Sequence, residues 1–189
     1  MVDRWKVRKA QPDDIKGMLD LNYKIYPPEW HVSVEYVEQI MKRNPQVYNV
    51  LRTEEGIKGI FSLFPLSKEH YEQVLYGTLE ENRLAEYLLD YTTPKDVYLY
   101  FISIIVDVFD PKRKMYAREI IKSIPEELKR IEEIGMNIQE IGAIAISPEG
   151  KQILPKIGFH QDESPIAVYE QEFPVFRAAA PDVLKAIRN

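Results

Sequence analysis

The chain has 189 residues, of which 45% are apolar and 29% charged, with a net charge of -5. That length and apolar content suffice for one globular domain with a sizeable core, and the acidic balance excludes a general nucleic-acid or anionic-membrane surface. With no cysteine, disulfide frameworks, thiolate metal sites and cysteine nucleophiles are excluded as well.

The first ten residues, MVDRWKVRKA, hold no apolar signal core, and no apolar run reaches the length of a membrane span. A soluble, cytoplasmic protein with no membrane or nucleic-acid partner is expected. No linker, repeat or low-complexity tract interrupts residues 1–189, so a single domain is expected.

In chain order, WKVRKA alternates Trp5 and Val7 with basic residues and reads as a strand. Asp13 or Asp14 can cap a helix carrying Ile15, Met18, Leu19 and Leu21, which ends before Pro27 and Pro28. Ser33 can cap a second helix, with Val34, Val37, Ile40 and Met41 at helical spacing up to Pro45. VYNVLRT and IKGIFSLFPL flank Glu54 to Gly56 as a hairpin, and the second of them is apolar enough for a central strand.

Residues 67–96 read as a helical insertion, SKEHYEQVL and ENRLAEYLLDY, broken at Gly77 and Pro94. This segment could shape an acceptor pocket, form a homodimer surface or cover the sheet; the spacing of Leu84, Tyr87, Leu88 and Tyr91 favours packing.

VYLYFISIIVDVF is the longest β-branched and aromatic run, as for a central strand buried on both faces. Asp107 within it is read as surfacing at the strand's end. The basic run Lys112, Arg113 and Lys114 follows, opening a helix with Ile120, Ile121, Ile124, Leu128, Ile131 and Ile134 three or four apart, closed at Gly135. Pro125 should kink or divide this helix, because it lacks a backbone donor. IQEIGAIAI is a further strand; Ser147 caps and Pro148 starts a short helix that Gly158 ends; PIAVYEQEF is one last strand, and PDVLKAIRN a short C-terminal helix.

This order, with the basic loop and the ending KIGF, resembles the GNAT acetyltransferases over about residues 4–172. The resemblance implies an α/β (α+β) fold: a mixed, mostly antiparallel sheet with a splayed central parallel strand pair, flanked by helices. The family's diphosphate loop, Q/R-x-x-G-x-G/A, falls on Lys112, Arg113, Lys114, Met115, Tyr116 and Ala117, with Met115 in place of the middle glycine. The family pattern ending in K-L-G-F falls on Ser147 to Phe159, with Leu154 where a proton-donating tyrosine often stands.

The implied cofactor is acetyl-CoA or another acyl-CoA. A diphosphate docks on the free amides of a helix start, so Lys112 to Ala117 together with Arg118 are its expected partners, and backbone groups of Ile104, Ile105, Val106, Asp107 and Val108 are those of the pantetheine arm. Acetyl transfer to an amine requires a proton acceptor and a proton for the departing thiolate. The family's strand glutamate would fall near Phe101, whose polar neighbours are Tyr100 and Ser103; Ser147 could reach the thiol. Trp30, His31 and Glu35 lie in the loop that closes over an amine acceptor, small molecule or peptide, in this family, while the i, i+4 spacing of His31 and Glu35 equally suits a helix-start pair. Three scattered histidines give no metal cluster, so no metal is expected. Beside direct acetyl transfer stand a non-catalytic regulatory or binding module of the same fold, argued from Met115 and Leu154, and an unrelated helix-rich interaction protein.

Overall fold

A computed structural model describes residues 5–163, 166–168 and 171–188. β1 (Val7–Lys9) leads into α1 (Ile15–Ile25) and α2 (Val34–Arg43), and β2 (Tyr48–Thr53) and β3 (Gly56–Leu66) form a hairpin. α3 (Lys68–Leu75) and β4 (Lys95–Val106) follow, then α4 (Arg113–Glu133), β5 (Met136–Ile144) and α5 (Pro148–Lys156). β6 (His160–Gln161), β7 (Ile166–Val168), β8 (Gln171–Phe173), β9 (Val175–Ala178) and α6 (Ala180–Arg188) complete the order.

Seven strands form one sheet in the order β1-β2-β3-β4-β5-β9-β6, and β7 and β8 form a separate pair. The sheet is mixed and mostly antiparallel. Its parallel pair, β4 and β5, runs in register from Lys95 and Met136 to Tyr100 and Gly142, with an irregularity at Val97 and Tyr98. The ladder ends there although β4 continues to Val106 and β5 to Ile144, which is the splay expected of this pair.

The chain divides into two compact units, Met1–Ser62 with Ser103–Ile124, and Leu63–Ile102 with Pro125–Asn189. In the first, Val50, Leu51 and Phe61 of the hairpin and Ile120 of α4 are fully buried. A Cβ on Gly59 would come within 3.0 Å of Ile120 and 3.4 Å of the Ile105 carbonyl, so a side chain there would push into α4. In the second, Tyr71, Leu84, Leu88, Leu99 and Leu128 are buried to 1% or less, so the 67–96 segment packs its apolar side inward.

Local chemistry sets most element ends. Ser33, Ser67 and Ser147 each accept a hydrogen bond from the amide three residues on, at Tyr36, His70 and Gly150, satisfying donors that a helix start leaves free. Gly135 and Gly158 close their helices at φ +96 and +98, where L side chains are strained.

Four expectations need correction. ENRLAEYLLDY is not an α-helix: only Glu81–Glu86 turns, as a 3-10 helix, because Leu79, Leu84 and Leu88 are held by burial rather than by helical propensity. Of the two outcomes expected at Pro125, a kink or a division, the division does not occur: α4 runs from Arg113 to Glu133 with Pro125 inside it. PIAVYEQEF is not one strand but contributes the β7–β8 pair, of which Pro165, Tyr169 and Glu170 lie outside the described residues. Behind Pro174 comes a strand that the sequence reading lacks, β9, paired with β5 from Ile141–Ala178 to Ile144–Val175.

Candidate functional site

β4 ends at Val106, and the next six residues turn the chain into α4. Ile104 and Val106 are half-buried, Ile105 is buried, and Val108, Phe109 and Met115 are exposed large apolar side chains. An apolar surface thus borders the loop. Met115 lies inside α4, in right-handed backbone that needs no glycine. Arg113, Lys114 and Arg118 are exposed, Ala117 is half-buried, and the Lys112 ammonium stands 5.0 Å from the ring centroid of Trp5. Trp5 also meets the buried ring of Tyr116 edge-on at 4.9 Å.

Asp107 does not surface; it is 4% exposed. Its carboxylate accepts from Lys24 at 2.8 Å and from the Phe109 amide at 3.2 Å, and its own amide bonds the Lys58 carbonyl at 2.9 Å. Long-range cations overturned the expectation, since nothing near Asp107 in sequence announces Lys24 or Lys58. Asp110 accepts from the Lys112 amide at 2.8 Å and from Lys58 at 2.8 Å. These bonds, Lys58 first, hold the Asp110 carboxyl below its ordinary range, and the pair with Asp110 raises Lys58. The Arg113 amide bonds the Asp110 carbonyl, and those of Met115 and Tyr116 bond the Lys112 carbonyl. Internal acceptors therefore already occupy much of the first turn.

The three proposed catalytic side chains are placed as follows. Tyr100, 1% exposed, stands at the last rung of the parallel ladder and donates its hydroxyl to the Glu81 carboxyl. Glu81 is half-buried as a residue, yet its carboxyl is enclosed, and that burial raises its pKa against the opposing effect of the Tyr100 bond. Ser103 shares a 2.7 Å hydrogen bond with the fully buried Ser62 of β3. Ser147 accepts from the Gly150 amide at 3.0 Å, and the buried Leu154 lies one turn further along α5.

Ahead of α2, Trp30 closes a 3-10 turn, Pro28–Trp30. His31 follows in extended backbone, with Nε2 donating to the Tyr26 carbonyl at 2.7 Å and its ring 4.6 Å from that of Tyr23. Because His31 lies outside α2, the helical spacing to Glu35 does not stack the two, and the helix-start pair is not formed. Glu35 is exposed in the first turn of α2. Tyr23 beside His31 and Lys24 beside Asp107 are consecutive in α1, so that helix end links the loop of Pro27 to Val32 with the turn that leads into α4 within one unit.

No protein-family profile and no curated protein matches the sequence. Solved structures do. A GNAT-like decarboxylase, GphF, in complex with isobutyryl-CoA is similar over 93% of this chain and 99% of its own, with TM-score 0.62 and 13% identity. The loading GNATL domain of CurA from Lyngbya majuscula covers 95% and 99% with TM-score 0.63 and 10% identity, and Ard1 from Thermoplasma volcanium 92% and 95% with 0.60 and 11%. The chain has the GNAT fold.

Within this GNAT fold, two residues that sequence reasoning passed over stand out. Glu81 lay in a stretch read as a plain amphipathic helix, and only its approach to Tyr100 singles it out. Lys58 alternates with apolar residues in IKGIF and carried no more signal than any strand lysine, yet its side chain is 13% exposed and pairs with Asp110, Glu55 and Asp107. Among the described residues no helix is long and apolar enough to cross a membrane.

Proposed function

We propose that the protein is an acyl-CoA-dependent N-acetyltransferase that moves the acetyl group of acetyl-CoA directly to a primary amine of a small-molecule or peptide acceptor. The observation that carries the reading is the ladder of β4 and β5 stopping at Tyr100 and Gly142 in a chain of GNAT fold, which frees later main-chain groups of β4 for a ligand's amides. Ile104 to Val108 would hold the pantetheine arm, the amides and cations of Lys112 to Arg118 the diphosphate, and Trp30, His31 and Glu35 the acceptor.

In the transfer, the amine lone pair attacks the thioester carbonyl carbon, the C–S bond breaks, the thiolate leaves and the amine nitrogen loses a proton. Of the three polar candidates, Tyr100 is the one bonded to a carboxyl, that of Glu81, whose pKa burial raises against the effect of the Tyr100 bond. Tyr100 would take the amine proton while passing its own to Glu81. Ser103 and Ser147 serve as a strand tie and a helix cap.

Acetyl-CoA at a hundred times its Kd should stabilise the fold by about 2.7 kcal/mol, read as a thermal shift. The absence of both a thermal shift and calorimetric heat at millimolar acetyl-CoA would overturn the reading. In an assay of thiol release over a panel of amines, Glu81→Gln should lower kcat by about 100-fold with acetyl-CoA affinity unchanged. The second reading, a binding or regulatory module without turnover, is favoured by the Asp110 carboxylate on the start of α4. It would show cofactor binding with no thiol release for any amine.

A further inference from the structure

Lys58 is a nearly enclosed cation on the strand beside β4, and it faces more negative charge than it can balance. Its ammonium lies 2.8 Å from Asp110, 3.1 Å from Glu55 and 3.7 Å from Asp107, while Lys24 lies 2.8 Å from Asp107. Two ammoniums thus meet three carboxylates, a net charge of -1 before any ligand arrives. The Asp110 carboxylate lies nearest the helix: it holds the Lys112 amide and Lys58 at once, and the Tyr116 hydroxyl reaches it at 3.4 Å. A backbone amide of a helix start, an ammonium and a hydroxyl are the partners that a phosphate oxygen takes in such a loop.

We propose that Asp110 is an internal occupant of the diphosphate position and that acyl-CoA binds by exchange, its diphosphate displacing the Asp110 carboxylate and inheriting Lys58 as counter-ion. The inference rests on the acyl-CoA reading above. A diphosphate diester adds two negative charges, and with Asp110 in place they would join three carboxylates around Lys58 and Lys24, a repulsion that displacing Asp110 relieves. The cation that the exchange releases is fixed in position, because the Lys58 carbonyl holds the Asp107 amide and its strand is central in the sheet. The carboxylate lies in an exposed turn: Phe109, Pro111 and Lys112 beside it are exposed, so it turns away at the cost of surface contacts such as Lys24 on the Phe109 ring and Lys112 on the Trp5 ring. Arg113, Lys114 and Arg118 then act as secondary partners, which explains why a loop that reads as basic begins with the buried Asp107 and the half-buried Asp110.

The exchange is tested by calorimetry on the whole chain with CoA, and with pantetheine, which lacks the diphosphate. Asp110→Asn keeps an oxygen for the Lys112 amide and removes the competing charge, so CoA should bind about tenfold tighter than to the wild type. Lys58→Met should bind CoA about tenfold more weakly, and the double variant more weakly than Asp110→Asn alone. Pantetheine should bind all four proteins equally. Asp110→Ser, which retains a capping oxygen, provides the same comparison if Asp110→Asn melts too low to titrate. Affinity for CoA that is unchanged or weaker in Asp110→Asn and Asp110→Ser overturns the exchange and leaves the cofactor reading standing. CoA binding by none of the proteins overturns both.

Discussion

Asp14 offers the sharpest test of the ion network that anchors the first unit. Its carboxyl is 1% exposed and accepts from Arg8 at 2.6 and 3.0 Å, from Arg52 at 2.9 Å and from the Gln11 amide at 2.8 Å. Burial alone would raise its pKa; the bonds from Arg8, Gln11 and Arg52 outweigh it and lower the carboxyl from 3.8 to about 2. A folded-state pKa below the unfolded one means stability that is fully present above about 3.8 and is lost as pH falls through about 2. At 1.36 kcal/mol per pH unit this amounts to about 2 kcal/mol, of which about half remains at pH 3. Asp14→Asn should therefore destabilise the protein by about 2 kcal/mol at pH 6 and by about half that at pH 3, in urea denaturation followed by far-UV circular dichroism. An equal penalty at both pH values would refute the argument, showing that Asn harms the site by shape and not by lost charge. The consequence reaches the candidate site, because Asp14 starts α1, whose last turn carries Tyr23 and Lys24.

Gly142→Ala would place a Cβ 2.6 Å from the Tyr71 hydroxyl and 2.7 Å from Leu75, and Tyr71 is fully buried and tied to Glu140 at 2.8 Å. The substitution should cost about 1 to 3 kcal/mol, and a midpoint within experimental error of the wild type would contradict that packing. Ser147→Ala should cost about 1 kcal/mol by loss of the cap on Gly150, with Ser147→Asp restoring it; thermal melts of the pair separate a cap from a group needed only in turnover. Among the described residues the buried Tyr91 hydroxyl has no hydrogen-bond partner, so Tyr91→Phe should be neutral or stabilising by up to about 1 kcal/mol, and a clear loss in chemical denaturation would reveal a partner such as a buried water.

Much of the frame was legible because its signals are local. A serine three residues ahead of the amide it caps, a proline at a first helical position and a glycine at a helix end lie within one turn of what they control, so Ser33, Ser147, Pro148 and Gly158 could be read directly. The hairpin at Glu54 to Gly56 and the long β4 run were legible for the same reason. What failed was set by partners far along the chain. β9 hides behind Pro174 and before three alanines, and is a strand because β5 offers it a ladder. Asp107 seemed a strand-end surface residue and is buried because Lys24 stands 83 positions away. Glu81 had no periodicity to betray it, since its significance lies in Tyr100 on another element.

Met115 and Asp110 place the departure of this chain from its fold on the side chains around the loop, not on the loop's backbone. A glycine at the middle of the diphosphate loop matters where backbone must turn left-handed or a ligand must pass close to a Cα. Here residue 115 is helical and its side chain is exposed, so methionine costs the backbone nothing. Asp110, by contrast, puts a negative charge on the amide of Lys112, where the proposed diphosphate would meet it, and that effect no backbone geometry can remove. If Met115 were the obstacle, Met115→Gly would strengthen CoA binding and Asp110→Asn would not. The geometry predicts the reverse order: Met115→Gly should leave CoA affinity within about twofold and cost up to about 1 kcal/mol of stability, because glycine inside a helix carries more conformational entropy to lose. Calorimetry on the two single variants separates the cases, and a larger gain from Met115→Gly than from Asp110→Asn would mean that steric access, not charge, governs the loop.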